Sequence, residues 1–446
     1  MRIHFIAIGG SAMHNLAIAL HRKGNRVTGS DDAIYEPSRS RLEREGLLPQ
    51  VLGWDASRID ASIDAIILGM HAKADNPELL AAKALSLPVF SYPEYLYEAT
   101  KEKTRVVIGG SHGKTSITAM ILHVLEYWNL SVDYMVGAQL EGFDIMTHLT
   151  DDNEFVVLEG DEYLSSAVDR RPKFHLYKPN IALLSGIAWD HINVFPTKAD
   201  YIKQFQLFIE TMTAGGILIY NQEDETLEEL VATTKHPIRK IPYQTLPYNV
   251  DNGQTFLESE EGPIPLQIFG QHNISNLSGA LLVCTQMGIE PVMFYEAIPS
   301  FTGASKRLEL FADRPGKRIY RDFAHAPSKV QATTQAVREQ FPNDLFLACL
   351  ELHTYSSLDV SFIHTYANCL VHTDIAVVFI DDEARKAKGK ASLDEDIIRN
   401  AFAHQSLYVF YDKETLSNWL QQQPASILLM MSSGHFGGLD LHGLVD

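Results

Sequence analysis

The stretch RVVIGGSHGKTSITAMILHVLEY, residues 105–127, has the pattern of a strand, a glycine turn and a helix in succession. Residues 105–108 form a β-branched run of the kind found in buried strands. After the turn, apolar residues recur at helical spacing, at Ile117, Met120, Ile121, Val124, Leu125 and Trp128. A helix that begins directly after a glycine turn points free backbone N–H groups and its positive end at an anion. The stretch therefore predicts an α/β domain with a phosphate-binding turn.

This turn is shorter than the common pattern G-x-x-x-x-G-K-[ST], in which the first glycine would fall where Ile108 stands. The residues present are Gly110, Ser111, His112, Gly113, Lys114, Thr115 and Ser116. We expect Lys114 to contact the terminal phosphates of a nucleotide and Thr115 to contact Mg²⁺. The alternative is an ordinary glycine-rich turn with an exposed lysine. The strand before the turn and the helix after it favour the nucleotide site.

Length and composition predict a cytosolic protein of several domains. A chain of 446 residues is expected to fold as about two to four domains. We expect no membrane span and no signal peptide, because the apolar runs are too short for either. The three cysteines, at 284, 349 and 369, are predicted to be buried thiols in a reducing compartment. A net charge of −19 argues against binding to nucleic acid or to anionic membranes.

Three αβ blocks follow one another along the chain. The first has strands at residues 3–8, 27–29 and 65–68, and a polar segment at 99–104 separates it from the second. The second continues to about residue 300 and has added β structure between 215 and 269. The third begins near 301 and alternates strands and helices to the end, which predicts a doubly wound sheet.

The first block opens with a turn that resembles a dinucleotide-binding turn without matching it. Gly9, Gly10 and Ser11 follow the first strand, but the pattern G-x-G-x-x-G is broken because Ala7 and Ala12 stand at two of its glycine positions. We expect a diphosphate at the N-terminus of the following helix, with a tight strand–helix turn as the alternative.

Acidic and imidazole side chains follow two strands of the second block. Glu159, Asp161 and Glu162 come after the strand at 155–158, and Asp190 and His191 come after the strand at 181–184. The carboxyl ends of parallel strands share one edge of a sheet, where these groups could hold magnesium. A solvated acidic loop and a capping histidine are the alternatives.

Later motifs provide amide and cationic groups. Asn273 is placed to cap a helix. Its amide and that of Asn276 could instead pair with adenine. Arg307, beside Lys306, is either part of a solvated face or a cation for a transferring phosphate. Asp322 and His325 lie at a strand's end, on the side where such sheets bind ligands.

In order and approximate spacing, these motifs resemble the Mur ligases, the ATP-dependent amide-forming enzymes of peptidoglycan metabolism. The resemblance implies a Rossmann-like UDP-sugar domain at 1–103, a central P-loop ATP-binding domain at 104–300 and a C-terminal Rossmann-like domain for the amino acid or peptide at 301–446. It further implies ATP and Mg²⁺ as cofactors, small-molecule substrates, a cytoplasmic location in bacteria and a monomer or weak dimer.

The resemblance also implies roles for individual residues. The catalytic residues would be Lys114, Glu159, His191 and Arg307. The magnesium ligands would be Thr115, Glu159 and His191. Nucleotide contacts would add residues 110–116 together with Asn273, Asn276, Arg307 and Asp322. The UDP-sugar would contact Gly9, Gly10, Ser11, Asp31 and His71. The peptide side would involve His325, His353 and His435.

The implied reaction joins UDP-N-acetylmuramate to the recycled tripeptide L-alanyl-γ-D-glutamyl-meso-diaminopimelate through an acyl phosphate. L-alanine is the alternative amine. A P-loop phosphotransferase or NTPase, or an inactive nucleotide-binding scaffold, are alternatives of another class.

The sequence departs from the usual Mur pattern at Gly186, Ala188, Arg321, Ala326 and around His353. These departures bear more on the peptide side than on the ATP site. Several relatives carry a carbamoylated lysine 14 or 15 residues after the histidine that corresponds to His191. Phe205 and Gln206 stand there, so this modification is not expected.

Overall fold

The computed structural model describes residues 1–70, 72–140, 142–166, 169–189, 194–260 and 262–444. The chain forms two compact units. The first comprises Met1–Ile187, Lys198–Tyr243 and Gly279–Glu290, and the second comprises Ala188–Thr197, Gln244–Ser278 and Pro291–Asp446. The domain boundaries expected at 103/104 and 300/301 remain a prediction.

The first unit contains two sheets, and the N-terminal one is entirely parallel. Its strands are β1 (Arg2–Ile6), β2 (Arg26–Ser30), β3 (Ala65–Leu68) and β4 (Val89–Ser91), in the spatial order β2-β1-β3-β4. Its helices are α1 (Ser11–Arg22), α2 (Ser38–Arg44), α3 (Pro77–Ala84) and α4 (Tyr92–Thr100). The strands predicted at 3–8, 27–29 and 65–68 are present, and β4 was not predicted.

The second sheet of this unit surrounds the predicted phosphate turn. Its strands are β5 (Thr104–Gly109), β6 (Asp133–Met135), β7 (Thr147–His148), β8 (Phe155–Glu159), β9 (Ile181–Leu184), β10 (Ile217–Asn221) and β11 (Arg239–Tyr243). Their spatial order is β11-β10-β9-β5-β8-β6-β7, and all pairs are parallel except β6 with β7. The associated helices are α5 (Lys114–Tyr127), α6 (Lys198–Thr211) and α7 (Glu225–Thr233). The central strands are buried along almost their whole length, as expected of a parallel sheet covered on both faces.

A small antiparallel sheet and a larger sheet make up the β structure of the second unit. The small sheet comprises β12 (Tyr248–Asp251), β13 (Gln254–Ser259) and β14 (Gly262–Leu266), followed in the chain by α8 (Gln271–Gln286) and α9 (Pro291–Ala297). The larger sheet comprises β15 (Glu309–Arg314), β16 (Lys317–Asp322), β17 (Phe346–Glu351), β18 (Ile375–Phe379), β19 (Leu407–Phe410) and β20 (Ile427–Met431).

The larger sheet has the order β15-β16-β20-β17-β18-β19 and is parallel except for β15. Its helices are α10 (Pro327–Gln340), α11 (Asp382–Ala387), α12 (Glu395–Phe402) and α13 (Lys413–Gln421). Apolar clusters cover both faces, so the predicted doubly wound sheet is confirmed. Cys284, Cys349 and Cys369 are buried free thiols, as predicted. Among the described helices, none has the length and apolar character needed to cross a membrane.

A buried arginine holds together the segment that was expected to separate the first two domains. Arg105, at the start of β5, is only 4% exposed. Its guanidinium donates to five backbone carbonyls at 2.7–3.2 Å, those of Thr100, Lys101, Lys103, Tyr177 and Lys178. Burial lowers its pKa, but its ordinary value is so high that the group stays charged. The linker is therefore ordered by one side chain.

Replacing Arg105 is expected to destabilise the first unit. Arg105→Ala removes the guanidinium donor from five carbonyls, of which that of Thr100 keeps the Lys103 N–H. Each unsatisfied buried group costs about 1–3 kcal/mol, part of which water can restore. We expect the first urea-unfolding transition to lose roughly 3 kcal/mol or more. Arg44→Ala, which removes an arginine that is 64% exposed, is the control and is expected to cost about 0.5 kcal/mol. Equal effects of the two substitutions would contradict this structural role.

Candidate functional site

The turn between β5 and α5 has the backbone that a phosphate-binding loop requires. Gly110 has φ +128° and Gly113 has φ +77°, values that favour glycine. A Cβ on Gly110 would lie 2.1 Å from Ser185 Oγ, so no side chain fits there. The Ser185 hydroxyl also donates to the carbonyl of His112. The turn is thus fixed from its neighbour β9 before any ligand binds.

Gly186, which departs from the usual Mur pattern, contacts the backbone of the phosphate-binding turn. Its φ is +154°, and its carbonyl accepts a hydrogen bond from the Ser111 backbone N–H at 3.0 Å. A Cβ at this position would lie 2.9 Å from a carboxylate oxygen of Asp224. That carboxylate accepts the N–H of Ile187 at 2.6 Å. A glycine here therefore supports the turn.

Lys114 opens α5, and its ammonium group is held in place on two sides. It donates to the Gly110 carbonyl at 2.5 Å and to Glu162 Oε2 at 2.6 Å. Burial acts to lower the pKa of Lys114, but the negative charges of Glu162 and Asp161 outweigh it and the pKa is raised. The group is therefore a fixed positive charge at the N-terminus of a helix, where phosphates bind.

Thr115 and Glu159 are brought together, as the sequence predicts. The Thr115 hydroxyl donates to Glu159 Oε1 at 2.8 Å, and the Gly137 backbone N–H donates to Glu159 Oε2 at 2.9 Å. A hydroxyl and a carboxylate are oxygen ligands of the kind that Mg²⁺ prefers. In the described part of the chain, no three His, Cys, Asp or Glu side chains gather as a metal cluster. The pair fits an ion that keeps water and phosphate ligands.

Three predicted site residues lie outside the described residues. These are His71, Asp190 and His191. The sugar contact expected for His71 and the magnesium contact expected for His191 therefore stay predictions.

The N-terminal turn differs from a free anion site in one respect. The backbone N–H of Gly9 donates to Asp31 Oδ2 at 2.7 Å, so this donor is already used. Asp31 is buried, and burial raises the pKa of its carboxyl group. A Cβ on Gly9 would lie 2.9 Å from that carboxylate. Helix α1 begins at Ser11, directly after Gly10. The donors left for an anion at this turn are therefore the backbone N–H groups in the first turn of α1.

A cleft of about 730 Å³ lies within the first unit, and its size suits a small-molecule site. It is lined by Leu68, Val89, Ser91, Glu94, Ser166, Asp169, Arg170, Arg171, Pro172, His175, Gln204 and Leu207. Arg171 joins two of its carboxylates, with Glu94 at 2.8 Å and Asp169 at 2.6 Å. Arg170 is exposed and forms no ion pair with any residue in the described ranges. No binding role was predicted for these residues, although the Arg-Arg pair in a polar loop was a visible signal.

In the second unit, the helix that contains Asn273 begins earlier than predicted. Helix α8 begins at Gln271, so the alternative that Asn273 caps this helix is wrong. Its side-chain amide donates instead to the Phe269 carbonyl at 3.0 Å. Asn276, one turn further, is buried as well. Their expected contacts with adenine remain predictions.

Arg307 lies between two residues in unusual backbone conformations. Lys306 and Leu308 have φ of +55° and +50°, which costs energy for residues other than glycine. The Arg307 guanidinium lies over the ring of Phe323 at 4.7 Å. Asp322 accepts the backbone N–H groups of Leu308 and Ala324, both at 2.6 Å, and its pKa is raised by burial. Asp322 therefore fixes the strained segment that presents Arg307.

The departure at Arg321 is matched by a local partner. Arg321 donates to both carboxylate oxygens of Glu309 at 3.0 Å, across the β15–β16 pair. His325 follows in the same loop, where its Nδ1 lies 2.8 Å from the Phe323 carbonyl. His435 is exposed in the loop after β20.

His353 belongs to a cluster at the carboxyl ends of β17 and β20. Glu351 is buried and accepts hydrogen bonds from the Ser432 hydroxyl and the Phe436 N–H. Glu351 Oε1 lies 3.5 Å from His353 Nδ1, and Lys388 Nζ lies 3.1 Å from His353 Nε2. Burial acts to raise the pKa of Glu351, but its donors, His353 first, lower it on balance. Lys388 was not singled out from the sequence, since 35 residues separate it from His353.

The known proteins that this sequence resembles are Mur ligases. Residues 2–104 match the Mur ligase family catalytic domain, and residues 108–284 match the Mur ligase middle domain. The UDP-N-acetylmuramate–L-alanyl-γ-D-glutamyl-meso-2,6-diaminoheptandioate ligase of Escherichia coli is 29% identical, over 98% of this chain and 96% of that enzyme. A UDP-N-acetylmuramate–L-alanine ligase of Desulforamulus reducens is 28% identical, over 80% and 77%.

A solved structure agrees with these matches at the level of the fold. The crystal structure of a murein peptide ligase from Psychrobacter arcticus superposes with a TM-score of 0.66 at 21% identity, covering 100% of this chain and 99% of that one. The two domain matches together cover more than half of the sequence. The chain therefore belongs to the Mur ligase family.

Proposed function

We propose that the protein is an ATP-dependent ligase that joins UDP-N-acetylmuramate to L-alanyl-γ-D-glutamyl-meso-diaminopimelate in peptidoglycan recycling. The observation that carries this proposal is the similarity to the Escherichia coli ligase with that substrate name, which extends over nearly the whole of both chains. We also propose a cytoplasmic location and a monomer or weak dimer.

In the first step, the lactyl carboxylate of the sugar attacks the γ-phosphorus of ATP, and ADP leaves. Lys114 and the N–H groups of the turn would bind the β- and γ-phosphates. Thr115 and Glu159 would hold one Mg²⁺, and Glu159 with His191 a second; bound Mg²⁺ neutralises phosphate charge. Arg307 would stabilise negative charge on the phosphoryl group during transfer.

In the second step, the amine nitrogen of the peptide attacks the acyl phosphate, and inorganic phosphate leaves. The chain's task here is to orient the amine and exclude water, since water would hydrolyse the intermediate. We propose that Asn273 and Asn276 bind adenine and that Asp322 acts near the ribose or phosphates. His325, His353 and His435 are proposed for the peptide side.

The cleft in the first unit supports binding of an anionic sugar nucleotide. Arg170 offers an exposed guanidinium that no described carboxylate neutralises, and a guanidinium binds phosphate or carboxylate through two parallel hydrogen bonds. We propose that Gly9, Gly10, Ser11, Asp31 and His71 contact the UDP end. The cleft would then receive another part of the same substrate.

The cluster around His353 supports an amine substrate with carboxylates of its own. Burial lowers the pKa of Lys388, while the negative charges of Glu351 and Asp381 act to raise it. Lys388 lies beside His353 at the end of a parallel sheet where ligands commonly bind. A tripeptide with several carboxylates offers partners for such a group, whereas L-alanine offers one.

The second candidate is the L-alanine-adding ligase. Relatives with that name reach 29% identity, as high as the tripeptide ligase, but over 84% or less of this chain where they do so. The expected reaction differs only in the amine, so the choice between the two requires a direct comparison of amines.

The test is turnover with UDP-N-acetylmuramate, ATP and either amine. We expect kcat/KM for the tripeptide to exceed that for L-alanine by at least about a hundredfold, because a site built for remote polar groups loses their binding energy with the short amine. Phosphate release that depends on the amine separates a ligase from an NTPase. Equal or better use of L-alanine would identify the biosynthetic reaction instead.

Glu159→Gln is expected to raise the magnesium concentration for half-maximal rate by about tenfold, because the amide keeps the shape but loses the charge that attracts the ion. Glu154→Gln, at an exposed position just before β8, is the matched control and is expected to leave the magnesium dependence unchanged. An unchanged dependence in Glu159→Gln would show that this carboxylate only braces the turn.

Arg307→Ala is expected to lower kcat about a hundredfold, equivalent to roughly 3 kcal/mol, with little change in the Kd for ATP. The reason is that its contact strengthens as charge develops on the phosphoryl group. Arg314→Ala, at an exposed position in β15, controls for loss of positive charge. Weakened ATP binding with normal kcat would place Arg307 in ground-state binding.

A further inference from the structure

Helix α6 contributes a buried tyrosine that contacts the phosphate-binding machinery indirectly. Tyr201 is fully buried, and its ring packs edge-on against Phe205 with centroids 5.2 Å apart. Its hydroxyl donates to Glu162 Oε1 at 3.0 Å. The other carboxylate oxygen, Oε2, accepts from Lys114 at 2.6 Å. One carboxylate thus connects α6 with the first residue of α5.

Glu162 is a group that the proposed reaction does not otherwise use. Its side chain is 1% exposed, and a buried carboxylate is stable only when its oxygens have hydrogen-bond donors. Because Tyr201 holds Oε1, the carboxylate cannot rotate freely and Oε2 stays directed at Lys114. The lysine ammonium has three N–H donors, and the Gly110 carbonyl takes a second one. One N–H remains for a phosphate oxygen.

We propose that Tyr201 and Glu162 are positioning residues that hold Lys114 ready for the nucleotide. This proposal rests on the phosphate-binding role of Lys114 in the proposed function. A lysine side chain loses considerable rotamer freedom when it is fixed, and fixing it before ATP binds removes that cost from binding. The buried donor is the uncharged hydroxyl of Tyr201 on α6, which fixes Glu162. The Lys114 ammonium therefore keeps its charge and one N–H for the nucleotide.

The experiment measures the Kd for Mg–ATP by calorimetry, with no sugar or amine present. Tyr201→Phe keeps the ring and removes the hydroxyl. We expect Kd to rise about fivefold to tenfold, since hydrogen bonds to charged groups are among the stronger ones. Tyr177→Phe is the matched control. Tyr177 is also fully buried in the first unit, and its hydroxyl has no hydrogen-bond partner among the described residues. Its substitution is expected to change Kd less than about twofold.

A double-mutant cycle distinguishes positioning from packing. Glu162→Gln is expected to raise Kd, and adding Tyr201→Phe to it should raise Kd no further, because in this proposal the tyrosine acts on Lys114 through the carboxylate. A Kd for Tyr201→Phe within twofold of the parent would overturn the proposal. An effect equal to that of Tyr177→Phe, or an effect that persists undiminished in the Glu162→Gln background, would overturn it as well.

The experiment distinguishes failure of the proposed nucleotide site from failure of the positioning proposal. If the parent protein binds no Mg–ATP, the nucleotide role of the turn is wrong, and the positioning proposal falls with it. If the parent binds Mg–ATP and the tyrosine variant binds equally well, only the positioning proposal is wrong. Thermal unfolding of Tyr201→Phe close to that of Tyr177→Phe confirms that a change in Kd reflects the site and not a loss of folding.

Discussion

The candidate site depends on the hydrogen bonding of β5 between β8 and β9. In this register Ile108 is opposite Glu159 on one side, and Gly109 is opposite Leu184 on the other. The chain leaves all three strands at the same edge of the sheet. The turn, the acidic residues after β8 and the bracing residues after β9 therefore meet without any long connection, and a shift of one residue would separate them.

The shortened turn follows from this register. Position 108 is still within β5 and fully buried, so isoleucine suits it better than the glycine of the longer pattern. The turn begins only after Gly109, where the close approach of Ser185 excludes any side chain on Gly110. The shorter loop keeps the two functions that matter, a left-handed residue before the helix and free N–H groups at its start.

Sequence reasoning could predict the parts of this site that follow a local pattern. The spacing of apolar residues predicts the strand, turn and helix at 105–127. The position of the acidic residues at the end of a predicted strand places them at the same edge of the sheet. Contacts between distant segments carried no such signal. Tyr201 is 39 residues from Glu162, and Gly137 is 22 residues from Glu159. The capping alternative for Asn273 fails because a capping residue and an amide one turn inside the helix look alike in sequence.

The departures from the Mur pattern bear on whether the protein is a working enzyme. At position 186 the glycine has a left-handed backbone and accepts a hydrogen bond from the turn itself. At position 321 the arginine has a paired carboxylate on the adjacent strand. Each of these two replacements therefore has a local partner. The backbone around Arg307 also carries strain, because Lys306 and Leu308 have positive φ values. Strained backbone persists mainly at functional sites, so this strain favours an active ligase over an inactive scaffold.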